Sequence, residues 1–301
     1  AAQQATTAFM QQYGMRGLAE IDLGRPRWRE EPLPVFQTLR SYIEITDADG
    51  NPVRSYSSEE GDFERCIIGN MDQRLPFTVR YPSAKKGLNQ WSWDLRRDGL
   101  HCIDDIRIFA GFAGARVVPG EYRVRIAVDG MESTADLTLL PDPRSDATPA
   151  EYAALDRRVR EVTDLLNELL ETLDAARKAR GQIQALLEDH GDDEELRAVA
   201  ESAIGRLTEW ENLVTQVEYQ TYEDEDSMPP MLDVHIRHLL DVLDGAGAPV
   251  SAGSLQRLED LKDQWRDRRA EIDAVNASDI AAINAWARDH GIAHVSSPGG
   301  E

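Results

Sequence analysis

His235 and His238 lie three apart in a stretch of helical periodicity, so both imidazoles reach one helix face and could share a metal ion. No acid or thiol stands at a spacing that completes a tetrahedral set, and the pair reads as packing or surface histidines. Asp47-Ala48-Asp49-Gly50-Asn51 sets side-chain oxygens at alternate positions, as a calcium loop does. The distal glutamate of such a loop is missing, and Asp and Gly suit a tight turn for backbone reasons alone, so the string is assigned to a turn. The acidic run Glu223-Asp224-Glu225-Asp226 offers oxygen ligands, but four adjacent carboxylates on a loop have no geometry that makes them converge. Trp91 and Trp93 alternate along an expected strand and so share a face: a carbohydrate contact if that face is open, core aromatics if it is covered. Cys66 and Cys102, the only thiols, are candidates for one disulfide or for two small buried side chains. No nucleophile elbow, phosphate loop, dinucleotide fingerprint or His-Glu-x-x-His motif occurs, and among 55 acidic residues some pair stands close by chance. No catalytic, cofactor-binding or metal-binding residue is therefore assigned.

The field around these residues is strongly negative. A net charge of −22 repels nucleic-acid phosphates and anionic membrane surfaces, which argues against a nucleic-acid partner. With 41% hydrophobic and 29% charged residues the composition is globular, and no apolar run approaches the ~20 residues of a membrane helix, so no membrane insertion is expected. The 301 residues suffice for two domains of ordinary size. The opening residues lack the charged head and apolar core of a signal peptide.

Patterning divides the chain into an α+β order: strands first, helices after. Residues 1–34 show no sustained period and read as an arm or linker, with a short helix at Ala8–Tyr13 as one option. Between 35 and 144, alternation predicts a hairpin around Asp47–Pro52, short strands at Cys66–Ile68 and Phe77–Tyr81, a strand at Leu88–Leu95, and a second hairpin in which Glu121–Val128 and Thr134–Leu140 flank Asp129-Gly130. Roughly seven short strands with frequent turn signals are the density of an Ig-like β-sandwich. Pro141 and Pro143 cannot donate to a ladder and end the sheet. Thr148-Pro149-Ala150-Glu151 then spells a capped helix start. Leu155, Val159, Val162, Leu166, Leu169, Leu173 and Ala176 step by three and four, predicting a helix of about 40 residues with coiled-coil spacing. A second helix runs Leu196–Val217, a short third runs Leu232–Leu243, and a fourth starts at Ser251 or Ser254 with Leu255, Leu258, Leu261, Trp265, Ile272, Ile280, Ile283 and Trp286 inward. An antiparallel four-helix bundle over 148–292 and a disordered tail over 293–301 complete the expectation.

Three segments, Gly87–Arg96 (GLNQWSWDLR), Val118–Gly130 (VPGEYRVRIAVDG) and Leu140–Arg144 (LPDPR), followed at once by the long helix, resemble the C-terminal region of bacterial sortilin-like, BNR-repeat glycosyl-hydrolase-like proteins. The hairpin Tyr42–Ser58 and the terminal Asp279–Ile292 are similar to that region too. No Asp-box of the propeller kind is present, so the resemblance implies the Ig-like module and helical tail without the β-propeller, and it carries no catalytic residue. It implies a non-catalytic structural or interaction module, docking on a β-propeller protein or on a copy of itself. The alternatives are an accessory subunit or fragment of a glycan-acting hydrolase, and a carbohydrate-binding module. It also implies export to the periplasm or the extracellular space, where a Cys66–Cys102 disulfide would persist.

Overall fold

The structure, a computed structural model, describes residues 41–58, 82, 87–103, 106, 108, 111–218 and 224–298. The chain divides between Thr38 and Leu39, and all described residues lie on the C-terminal side of that division. The strands expected at Cys66–Ile68 and Phe77–Tyr81, the helix at Ala8–Tyr13 and Cys66 itself lie outside the described residues.

The fold is α+β: a four-stranded antiparallel sheet and four principal helices. Strands β1 (Ser41–Asp47), β2 (Pro52–Ser57), β3 (Gly120–Val128) and β4 (Met131–Leu139) are ordered β2-β1-β3-β4. Both hairpins turn where the sequence supplies left-handed backbone. Asp129 and Gly130 have φ of 50° and 82°, and Gly50 has φ of 84°. The β3–β4 ladder runs without a register shift from Gly120↔Leu139 to Val128↔Met131, whereas β1–β2 slips between Ile45 and Thr46.

Leu88–Leu95 does not form the expected strand. Leu95 takes φ of 61°, which turns the chain out of an extended path, and the only pairing nearby is a single bridge, Arg96↔Arg116. Both indoles fold onto the sheet instead. They join Ile43, Ile45, Val53, Val117 and Tyr122 in a small cluster on its inner face.

Helix α1 (Pro149–His190) is 42 residues long, about 63 Å at 1.5 Å per residue. It opens with the full capping box: the Thr148 hydroxyl accepts from the Glu151 amide, and the Glu151 carboxylate accepts from the Thr148 amide at 2.7 Å. Helix α2 (Glu194–Val214) is capped by Asp193, whose Oδ1 accepts from the amides of Glu195 and Leu196. It ends at Val214, three residues short of the expectation, and Val217 is exposed. After one helical turn at Asp224–Ser227 come α3 (Leu232–Ala246) and α4 (Ala252–Val275), the latter capped by Ser251. A π-helical turn, Asn276–Ile280, leads into α5 (Ala281–Asp289). The extra residue per turn there carries the buried positions from Val275 to Ile280 and Ile283 without rotating them out of the core. Helix α1 packs on α2 and α3, and α4 packs on the same two.

The expected inward stripes need two corrections. Leu255 is exposed and Trp286 is half-buried. On α1 the buried set includes Leu165, Leu170 and Ala179 besides the predicted heptad, because neighbours cover more than one side of this helix. Residues 293–298, part of the 293–301 stretch expected as a disordered tail, run back onto the helices. Val295 is 2% exposed, its amide donates to Asn284 Oδ1 at 2.6 Å, and its carbonyl accepts from Asn284 Nδ2 at 3.0 Å.

The segment between β2 and β3 joins the sheet to the helices. Residues 95–103 and 111–117 lie side by side as the two arms of an irregular ribbon: the Arg97 amide donates to Ala115 O, Leu100 to Phe112 O and Val117 to Leu95 O, at 2.8–2.9 Å. Its Leu100, Ile103, Ile106, Ile108, Phe112 and Ala115 are buried in the same cluster as the helices. Charged contacts reinforce the seam. Arg97 pairs with Asp156 of α1, Arg160 reaches Asp47 at 2.9 Å, Arg96 reaches Asp244 of α3 at 3.1 Å, and buried Arg237 donates to Gly111 O at 2.9 Å.

Candidate functional site

The calcium-like turn has no ligand oxygens to spare at its first carboxylate. Asp47 Oδ1 accepts from the amides of Asp49 (3.1 Å) and Asn51 (2.8 Å), and Oδ2 accepts from Asn51 Nδ2 (3.0 Å) and Arg160 (2.9 Å). Burial pushes this carboxyl up, but those hydrogen bonds and the Arg160 charge outweigh it and hold its pKa below the ordinary value. Among the described residues no group of three or more His, Cys, Asp or Glu side chains is placed to hold a metal. The acidic run falls partly outside the described residues.

His235 and His238 both lie on α3. His235 borders a cleft of about 330 Å³ between α2, α3 and α4, with Leu213, Met231, Gln264, Asp267 and Arg268 around it. Burial and the charges of Arg257 and His238 lower its pKa, favouring the uncharged imidazole. His238 is exposed one turn further along.

Trp91 meets Tyr56 edge-on at 5.1 Å and Trp93 meets Tyr122 edge-on at 5.6 Å, and the Trp93 indole donates to Arg96 O at 2.9 Å. Both rings are half-buried. Cys102 is half-buried and disulfide-bonded.

Among the described residues the two edges of the sheet differ. At the β2 edge the Asp98 amide donates to Val53 O at 2.9 Å, and Asp98 Oδ1 accepts from the Ser55 amide at 3.1 Å, so the 95–117 ribbon occupies it. That strand also begins with Pro52 and carries the register slip. Strand β4 has none of these protections. All of it except half-buried Leu139 is exposed, it contains no Pro, Lys or bulge, and no backbone partner meets its outer side among the described residues. Its apolar face presents Met131 at 72% and Leu137 at 38% exposure, with Ile126 of β3 at 42%. Its polar face is nearly charge-balanced: Asp136 pairs with Arg123 at 3.0 Å, Glu132 with Arg125, and the Thr138 hydroxyl donates to Glu121 at 2.8 Å. Arg125 holds Glu132 below the ordinary carboxylate range. An exposed edge of nine residues without a bulge or proline is what strand addition requires. The sequence announced β4 as a hairpin arm. That it would be an edge follows from the strand order β2-β1-β3-β4, which no local pattern encodes.

Residues 1–70 match the model of a known family, the rifampicin phosphotransferase fourth domain. No curated protein and no solved structure matches the chain. The family match overturns the resemblance to sortilin-like, BNR-repeat proteins, and with it the β-propeller partner drawn from that resemblance. The physical reason is visible in the motifs that carried it. GLNQWSWDLR places two indoles on a sheet, VPGEYRVRIAVDG forms a strand and its turn, and LPDPR ends a sheet before a helix, tasks that any fold with those elements must perform.

Proposed function

We propose that this chain is a non-catalytic interaction module that takes up an extended protein strand along β4. One observation carries the reading: the fold covers the β2 edge with its own ribbon, while the β4 edge is exposed, free of bulges and without a backbone partner among the described residues. The family match supports a modular reading, since it is to one numbered domain of a larger enzyme and covers residues 1–70 only. In finer terms we read the sheet as one layer of an Ig-like sandwich and the helices as an antiparallel four-helix bundle. The aromatic cluster on the inner sheet face and the packing of α1 and α4 against both α2 and α3 support this. The disulfide at Cys102 favours an oxidising compartment, periplasmic or extracellular.

The test is a fluorescently labelled peptide of β4's own sequence, MESTADLTL. Added to the whole chain it should bind saturably, and the anisotropy rise should disappear in an Ala135→Pro variant that retains its helical circular dichroism. A peptide that does not bind, while the edge amides of β4 exchange freely in deuterated buffer, would sink the reading.

A further inference from the structure

Resting on that reading, we propose that the strand received by β4 is the β4 of a second copy, paired antiparallel about a two-fold axis at Ala135. The pattern of charges along the strand selects this register. A two-fold perpendicular to the sheet keeps each side chain on its own face, so it can be centred only on a residue. Centred on Thr134 it would set Glu132 against the other copy's Asp136, and centred on Asp136 it would set two aspartates against each other. Like charges directly opposite destabilise a ladder. Centred on Ser133 it would pair only Met131 to Ala135 and leave Asp136, Leu137, Thr138 and Leu139 without a strand partner. Centred on Ala135 it pairs all nine residues: Glu132 with Thr138, Thr134 with Asp136, Ser133 with Leu137 and Met131 with Leu139.

The chemistry of each opposition is favourable. Thr138 already donates its hydroxyl to Glu121 across the β3–β4 ladder, so it is oriented to serve a carboxylate on this face, and the Glu132 opposite it is already half-neutralised by Arg125. Thr134 can donate to Asp136, which Arg123 neutralises in the same way. On the other face exposed Met131 gains Leu139 as a neighbour, and Ala135 meets its twin with no bulk between the strands. Each copy carries a charge of −22, so long-range repulsion opposes the encounter, and added salt should tighten the dimer by screening it.

The experiment combines sedimentation equilibrium of the whole chain with cysteine cross-linking. The parent should form a reversible dimer that tightens with salt. Ala135→Cys should oxidise to a covalent dimer, because opposed Cα atoms in a ladder lie within disulfide reach, while Thr138→Cys should not, since its own twin is several residues away. Thr134→Asp faces Arg125 within its own chain and so folds, but places two symmetry-related like-charge pairs in the dimer. It should weaken association roughly five- to thirty-fold, and Thr134→Asn should not. A chain that stays monomeric yet binds the β4 peptide overturns the self-pairing and leaves the strand-accepting reading standing. A dimer that ignores Thr134→Asp and does not cross-link at position 135 places the contact elsewhere and overturns the register.

Discussion

Asp233 sits in the first turn of α3 with no exposed surface. Its Oδ1 accepts from the Val234 amide at 2.7 Å, and its Oδ2 has no hydrogen-bond partner among the described residues. Burial pushes its pKa up to about 7, against the pull of the nearby Thr215 hydroxyl, the Val234 amide and the Arg177 charge. The folded pKa lies above the unfolded one, so the folded chain binds this proton more tightly. The stabilisation is complete below about pH 4 and is lost as pH rises towards 7, at up to ~1.4 kcal/mol per pH unit. Asp47 acts in the opposite sense: its lowered pKa gives stability that is present at neutral pH and lost on acidification. Replacing Asp233 with Asn keeps the shape and removes the titration. Urea midpoints at pH 5 and pH 8 should differ less in Asp233→Asn than in the parent, and the variant should be the more stable of the two at pH 8. Equal slopes in both proteins would show that Asp233 is ionised in the fold. Nothing in the sequence marked Asp233, because an acid three residues beyond a proline pair reads as a helix-start charge. Only the packing of α1, α2 and α3 around it makes it interior.

At the scale of elements, legibility followed the range of the interactions. The capping box at Thr148, the Asp129-Gly130 turn and the stop at His190-Gly191 are set by neighbours within four residues, and each was readable. The second buried stripe of α1, at Leu165, Leu170 and Ala179, depends on partners far along the chain and was not. The 95–117 ribbon is the extreme case. Its apolar run was visible as His101–Ala115, but its path is fixed by one close approach: a Cβ on Gly114 would stand 2.2 Å from Asp98 O and 2.4 Å from Arg97 O, both backbone atoms that cannot swing aside. Gly114→Ala must therefore part the ribbon, withdraw Phe112 and Ile108 from the helical core and loosen the cover on β2, at a cost of about 3 kcal/mol or more. Gly181→Ala, inside α1 with nothing within 4 Å of the added carbon, should instead stabilise by ~0.5–1 kcal/mol. Paired denaturant titrations of the two variants check the contrast. Similar midpoints for both would mean that the ribbon yields easily.

Across the molecule from Leu39 onward, sheet and helices share one seam, so the disulfide at Cys102 anchors a ribbon on which both depend. Cys102 lies next to Ile103 of the helical core and to His101, whose amide donates to Asn167 Oδ1 of α1 at 2.8 Å. With Cys66 the only other thiol, 36 positions earlier, we propose that these two are bonded, which closes a loop worth about 3 to 4 kcal/mol in chain entropy. Reduction should therefore reach beyond the sheet. In the oxidised chain, tryptophan fluorescence, which reports Trp91 and Trp93 on the sheet and Trp210 and Trp265 among the helices, should melt together with the far-ultraviolet helical signal. With reductant the whole transition should move down by several degrees while remaining single, because Arg97–Asp156, Arg160–Asp47 and the buried ribbon still couple the halves. Proteolysis without reductant should yield one cross-linked peptide pair spanning Cys66 and Cys102. Two separate melts in the reduced protein would show that the seam, without its disulfide, is too weak to make sheet and helices one cooperative unit.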